Sequence, residues 1–254
     1  MVENAERLAR LCLSCALDGG DPAVGELLAR HGPEGAWTCI RNGALGEPTA
    51  ERAARLSLAS VERLAADAGA RFIVPGDGEW PAGLADLAHA GEIQRRGGEP
   101  YGLWLRGPGH LADLMRHSVA IVGSRAATAY GSGIAADLAA DLVERGMTVV
   151  SGGAFGIDAA AHRGALAAGG PSVGVLACGV DVAYPPANAS IFDQLARDHL
   201  LVSELPPGAH PTRVRFLARN RLIAAMTQAT IVVEAALRSG ARTRPAGRWS
   251  VGGR

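Results

Sequence analysis

Hydrophobic and polar positions change their period along the chain. Over residues 1 to about 70 the apolar positions recur at helical spacing, as in Leu56, Val61, Leu64 and Ala68, the pattern of amphipathic helices with one buried face. Breaks at Gly19-Gly20-Asp21-Pro22, Gly32-Pro33 and Gly46-Glu47-Pro48 divide this region into several short helices. The pattern then predicts a short strand over 71–75, a short helix over 81–89, a flexible loop over 91–100 and a second strand over 101–106. From His117 onward, apolar runs at 118–122, 148–150, 172–177, 200–203 and 230–233 alternate with helical stretches. These stretches include 128–145, a helix through Asp158, His162 and Leu166, and 217–227. Strands of near-continuous Val, Ile and Leu separated by helices imply a parallel sheet covered on both faces. The expected fold is therefore α/β: a Rossmann-like parallel sheet with helices on both faces, preceded by a small helical domain. The expected divisions are 1–70 helical, 71–116 connecting and opening an extended Rossmann domain, 117–240 Rossmann-like, and 241–254 an atypical tail.

Composition sharpens this picture. The chain has 254 residues, 48% of them hydrophobic and 20% charged, enough apolar material for a sizeable core. Twenty-five basic side chains balance 25 acidic ones. All the bases are arginine, which excludes a catalytic lysine, a P-loop lysine or a Schiff base from this chain. Zero net charge argues against nucleic-acid binding by bulk electrostatics alone, but the charge is unevenly spread. Residues 1–196 hold 15 arginines and 22 acids, whereas 197–254 hold 10 arginines and 3 acids. Cys12, Cys15, Cys39 and Cys178 are too few for a disulfide framework in a chain this long. The N-terminus does not read as a signal peptide, and no run approaches the ~20 apolar residues that span a bilayer. A cytoplasmic protein without a membrane segment is expected.

Ligands of such sheets bind beyond the carboxyl ends of the strands. The residues expected there are Gly123-Ser124-Arg125, Ser151-Gly152-Gly153, Gly179, Glu204 and Glu234. Two of these turns open into helices, where backbone N–H groups and the helix N-terminus favour an anion. Arg125 adds a planar guanidinium suited to phosphate. Glycines that merely pack a strand against a helix are the plain alternative, but two such turns together with Arg125 favour a phosphate-type ligand. A dinucleotide is disfavoured, because the first turn lacks the G-x-G-x-x-G spacing and the second strand ends in Ser151 instead of an acid. Cys12-x-x-Cys15 has no second pair to complete a metal site and reads as helix core. Asp158 and His162, four apart, share a helix face and read as a local hydrogen bond holding the site together, with no nucleophile tied to them. Tyr184-Pro185-Pro186 and Pro206-Pro207-Gly208 are rigid loops able to wall a pocket. Arg213, Arg215, Arg219 and Arg221 interleave with Phe216 and Asn220. Arginine with an aromatic is what single-stranded nucleic acid requires, phosphate contact plus a stacking surface.

The chain resembles the DprA/Smf family of DNA-processing proteins. The resemblance rests on seven motifs in order between about residues 70 and 240. They are Gly123-Ser124-Arg125; Ser151 through Asp158; His162 with Ala165-Leu166; Gly179-Val180-Asp181 with Tyr184-Pro185 and Asn188; Ser203-Glu204 with Pro206-Pro207-Gly208; Arg219-Asn220-Arg221-Leu222-Ile223; and Val233-Glu234 with Ser239-Gly240. The helical N-terminus is compatible with the family's sterile-alpha-motif-like (SAM-like) domain. The resemblance implies a non-enzymatic, cofactor-free protein of natural transformation. Such a protein binds and protects single-stranded DNA, loads the RecA recombinase and forms a homodimer. Carried over by position, Arg125, Arg219 and Arg221 would contact phosphates, and Asn220 would contact the nucleotide or brace the pocket. Ser124, Gly152 and Gly153 would allow close backbone approach. Asp158, His162, Asp181, Glu204 and Glu234 would be scaffold, with no catalytic or metal-binding residue.

The chain departs from that pattern twice. Phe216-Leu217-Ala218 replaces the family's Phe-Pro before Arg219, and the tail 241–254 lacks apolar periodicity and carries Pro245 where a helix is expected. A truncated or frameshifted product is the reading of that tail, and it weakens the expectation of a homodimer and of a RecA contact. Two alternatives remain at this point. A nucleotide-processing Rossmann enzyme of the phosphoribohydrolase type would need a P-G-G-x-G-T-x-x-E stretch that the chain lacks. A non-functional truncated product is the other.

Overall fold

The computed structural model describes residues 4–91 and 96–235. The expectations for Ser239-Gly240 and for the tail lie outside those residues. Helices α1 (Asn4–Ala16), α2 (Pro22–Arg41) and α3 (Glu47–Ala54) form the N-terminal unit. Leu13, Val24, Ile40, Ala53 and the inserted ring of Tyr101 make its core. The breaks read from the sequence act as stated. Asp21 accepts a hydrogen bond from the Ala23 amide and, with Pro22 following, starts α2, while Gly32 at φ 65° bends it ahead of Pro33. Helix α4 (Leu58–Asp67) starts at Ser57, whose hydroxyl accepts from the Ser60 amide. It packs on the sheet, its Val61 joining Trp104, Phe192 and Leu195.

The sheet contains β1 (Ala70–Ile73), β2 (Leu103–Arg106), β3 (Ser118–Val122), β4 (Thr148–Ser151), β5 (Ser172–Leu176), β6 (Leu200–Ser203) and β7 (Ala229–Val232), in the order β1-β2-β6-β5-β4-β3-β7. Strands β3 to β7 pair in parallel. The segment 70–106 extends the sheet by two antiparallel strands, so the sheet is mixed at that edge. Helices α5 (Leu111–Arg116), α6 (Ala129–Glu144), α7 (Ile157–Ala167), α8 (Ala189–Asp198) and α9 (Arg213–Met226) complete the fold. Alternate strand residues point to opposite faces, and the clusters obey that period. Leu103, Leu105, Val173, Val175, Leu200 and Val202 pack with α5, α9 and a 3-10 turn at Ala82–Ala88. Trp104, Leu176 and Leu201 pack with α4 and α8 on the other face, as Ile121 and Val149 do with α6 and α7. Both faces are covered, as near-continuous apolar strands require.

Consecutive strands β3, β4, β5 and β6 step in one direction, and β7 returns to the far side of β3. The reversal makes β3 the topological switch point, where the crevice beyond the strand ends opens. No helix among the described residues is long and apolar enough to cross a membrane.

Candidate nucleic-acid interface

Both glycine turns lie where the sequence places them, but the protein's own carboxylates fill them. At the end of β3 the Ser124 amide donates to the Glu234 carbonyl at 2.6 Å, and the Ser124 carbonyl accepts from the Ile157 amide at 3.2 Å. The Glu234 carboxylate accepts from the Thr128 amide at 3.1 Å and the Thr128 hydroxyl at 2.9 Å. It sits at the N-terminus of α6, the position an external anion would take. At the end of β4 the Asp158 carboxylate accepts from the Ala154 amide at 3.3 Å and from the amides of Gly123 and Gly152. Burial pushes the Asp158 carboxyl above its ordinary range, and the nearby Arg219 guanidinium pulls it back down. The expectation that Ser124 and Gly152 offer their backbone to a phosphate is thereby corrected. Gly123 leaves no space between Ile157 and the Glu234 carbonyl, and Gly153, with φ +68°, turns its Cα toward the Phe192 ring.

Ser151 is also corrected from site to core, since its buried hydroxyl donates to the Ile121 carbonyl at 2.6 Å. Arg219 and Arg221, expected at phosphates, are buried. Arg219 donates to the carbonyls of Gly152 at 2.7 Å and of Val175, and Gly152 is glycine because this guanidinium lies against its Cα. Asn220 accepts from Arg219 Nε at 3.1 Å, a bracing contact. Arg221 donates to both Glu204 oxygens, at 2.7 and 2.9 Å. Helix α9 begins four residues before the expected start, and it carries these arginines inward because Leu222, Ile223 and Met226 seat it on the sheet. The Thr212 hydroxyl caps it by accepting from the Arg215 amide at 3.3 Å.

Asp181 is a loop brace that accepts from the Gly208 amide at 2.8 and 3.0 Å. Asp158 and His162 do not form the expected mutual bond. The buried His162 Nδ1 lies 2.8 Å from the Ser172 hydroxyl, which itself donates to the Val149 carbonyl. Nδ1 therefore carries the proton, and Nε2 has no partner among the described residues. Neither residue can reach a substrate. Cys12 and Cys15 are free thiols, with burial pushing Cys15 up to about 12. No group of metal-ligating side chains occurs among the described residues.

What faces outward is an arginine laid on aromatics. The exposed Arg125 places its guanidinium carbon 4.6 Å from the centroid of the Phe216 ring. That ring lies 5.8 Å from the ring of Tyr184, which is 44% exposed. A cation over a ring face keeps N–H donors that a phosphate can engage. Gly156 packs on the carbonyls of Ser124 and Arg125, which brings Phe155, 48% exposed, beside the Arg125 turn. Tyr130, 79% exposed, follows in the first turn of α6. Tyr130 and Phe155 were not among the expected binding residues, and Tyr184 was expected only in a loop walling the pocket. The signal that could have found them is large rings directly after strand ends in a chain only 4% aromatic.

The family model for DNA recombination-mediator protein A matches residues 71–244. The chain belongs to that family. A relative from Mycobacterium tuberculosis, named as a DNA processing protein DprA, is 44% identical over 230 residues. The match covers 87% of this chain and 58% of that protein, so the chain spans little more than half of the relative's length. The X-ray structure of DprA from Streptococcus pneumoniae superposes with a TM-score of 0.72 at 30% identity, covering 95% of this chain and 81% of that one. The family member from Helicobacter pylori, described for its single-stranded DNA binding mode, superposes with a TM-score of 0.55 at 29% identity and covers 67% of this chain and 72% of that one. These matches agree with the mixed, mostly parallel sheet and its flanking helices.

Proposed function

We propose that this chain binds single-stranded DNA at the strand ends and passes the strand to a RecA recombinase. The observation that carries the reading is the outward stack of Arg125, Phe216 and Tyr184. It offers one phosphate contact beside a surface on which an unpaired base can lie. Paired bases present no free face to such a surface, so the site selects single strands. Phe155 and Tyr130 are further exposed rings near the strand ends. Membership of the recombination-mediator family and the single-stranded DNA binding of the Helicobacter pylori relative support the same reading. The buried scaffold of Asp158, His162, Arg219, Glu204 and Arg221 supports a binding role and not catalysis.

Fluorescence anisotropy with a labelled oligothymidine and with a duplex of equal length, across a salt series, tests the site. The single strand should bind more tightly. Phe216→Ala should weaken it by about 1–3 kcal/mol, the range for one stacked base. Arg125→Ala should weaken all sequences alike and reduce the salt slope by about 0.7, one phosphate's worth on a single strand. Equal affinity for the duplex sinks the reading. RecA transfer is tested separately by filament assembly on strands coated with single-strand-binding protein, where no acceleration by the chain removes that part. The homodimer belongs to the same proposal, and sedimentation that shows only monomer removes it.

A further inference from the structure

The turn between α1 and α2 grips α9 at two points. Asp18 accepts from Arg215, whose Nε lies at 2.8 Å and Nη2 at 2.7 Å from the same carboxylate oxygen. Gly19 and Gly20 lie against the buried Glu204–Arg221 pair, so closely that a side chain at Gly19 would overlap the Glu204 carboxylate. The turn is itself pinned from behind. Arg96 donates to the carbonyls of Asp18 and Gly19 at 3.5 and 3.3 Å, and the Gly97 amide donates to the Gly20 carbonyl at 3.0 Å. Asp18 and Arg215 also line a shallow crevice with Leu176, Ala177 and Glu204 at the ends of β5 and β6.

Arg215 is the residue next to Phe216. With its third nitrogen it donates to the His210 carbonyl at 2.6 Å, and so ties down the loop that enters α9. A cation in the first turn of a helix opposes the helix dipole, and Asp18 offsets that cost. We infer that the N-terminal helical unit is a working part of the DNA site. Asp18 is a positioning residue that holds Arg215, and through it the first turn of α9, so that Phe216 stays registered against Arg125 and Tyr184. Arg215 is consumed by this task and gives no phosphate contact. The inference rests on the single-stranded DNA reading of the Arg125–Phe216 surface.

The test uses the full chain and an oligothymidine carrying a single 2-aminopurine, whose fluorescence falls when the base stacks. Asp18→Asn and Arg215→Gln should each weaken binding roughly fivefold, and the double variant should be no weaker than either, because both break one network. Quenching at saturating protein should be smaller in all three variants, with the salt slope unchanged. Wild-type affinity in either single variant, or losses that add in the double, overturns the inference. So does tighter binding of Asp18→Asn with a steeper salt slope, which would make Arg215 a phosphate ligand held in check. A wild-type chain with no preference for single strands instead sinks the DNA reading itself. Circular dichroism at the assay temperature checks that the variants are folded, as the partial exposure of both side chains leads one to expect.

Discussion

His162 shows how a residue that looks chemical can be structural. Burial, with a smaller push from the Arg219 charge, lowers its imidazole to about 3. The free residue titrates near 6.5. Between those values the unfolded chain binds a proton that the folded chain refuses, so stability falls as pH drops. The stabilisation is complete above about pH 6.5 and is lost on acidification toward pH 3, at about 1.4 kcal/mol per pH unit. Asp158 works in the opposite sense, since burial raises its carboxyl, but it is common to wild type and variant. His162→Asn keeps an N–H for the Ser172 hydroxyl and removes the titrating ring. Denaturant melts between pH 7 and 5 should show a flatter dependence in that variant, at a lower overall stability. Parallel curves would mean that His162 takes up a proton in the folded protein.

The join between β6 and α9 rests on a buried ion pair. Glu204 and Arg221 expose only 7% and 6% of their side chains, and Arg221 Nε and Nη1 have no partner among the described residues. Removing one member of such a pair leaves a buried charge uncompensated. Glu204→Gln should therefore lower the unfolding free energy by about 3–5 kcal/mol, while Glu204→Met with Arg221→Met together should recover most of it. Equal losses in the single and double variants, by urea melts, would show that packing and not charge dominates. Elements of this kind mark where sequence reasoning succeeds and fails. The strands at Ser118–Val122 and Leu200–Ser203 were legible to the residue, because a run buried on both faces has one apolar signature. The direction of a long side chain has no such signature. Arg219 and Arg221 look like Arg213 in sequence, but the packing of Leu222, Ile223 and Met226 on the sheet decides which of them turn inward. The same holds for the glycine turns. Their affinity for an anion was legible, whereas the anions that fill them, Asp158 and Glu234, lie 4 to 106 residues from their backbone donors.

Over the whole molecule the zero net charge conceals a split, with 15 arginines against 22 acids in residues 1–196 and 10 against 3 in 197–254. The fold takes much of that basic excess out of play. Arg219 and Arg221 are buried, Arg215 is paired with Asp18, and Arg197 with Asp198. In residues 197–235 that leaves Arg213 exposed without an ion pair among the described residues, and Arg125 joins it from the first glycine turn. A site with so few open cations neutralises one or two phosphates, so affinity must come mainly from stacking. The logarithm of the single-strand association constant should then fall with the logarithm of salt at a slope of only about −0.7 to −1.4. Binding through the whole basic region would engage Arg238, Arg242, Arg244, Arg248 and Arg254 as well and give a slope several-fold steeper. An anisotropy titration from low to moderate salt, repeated with those five arginines changed to glutamine, separates the two. A shallow slope that the glutamine variant leaves unchanged assigns the binding to the Arg125–Phe216 surface. A steep slope that the variant abolishes moves it to the basic end of the chain.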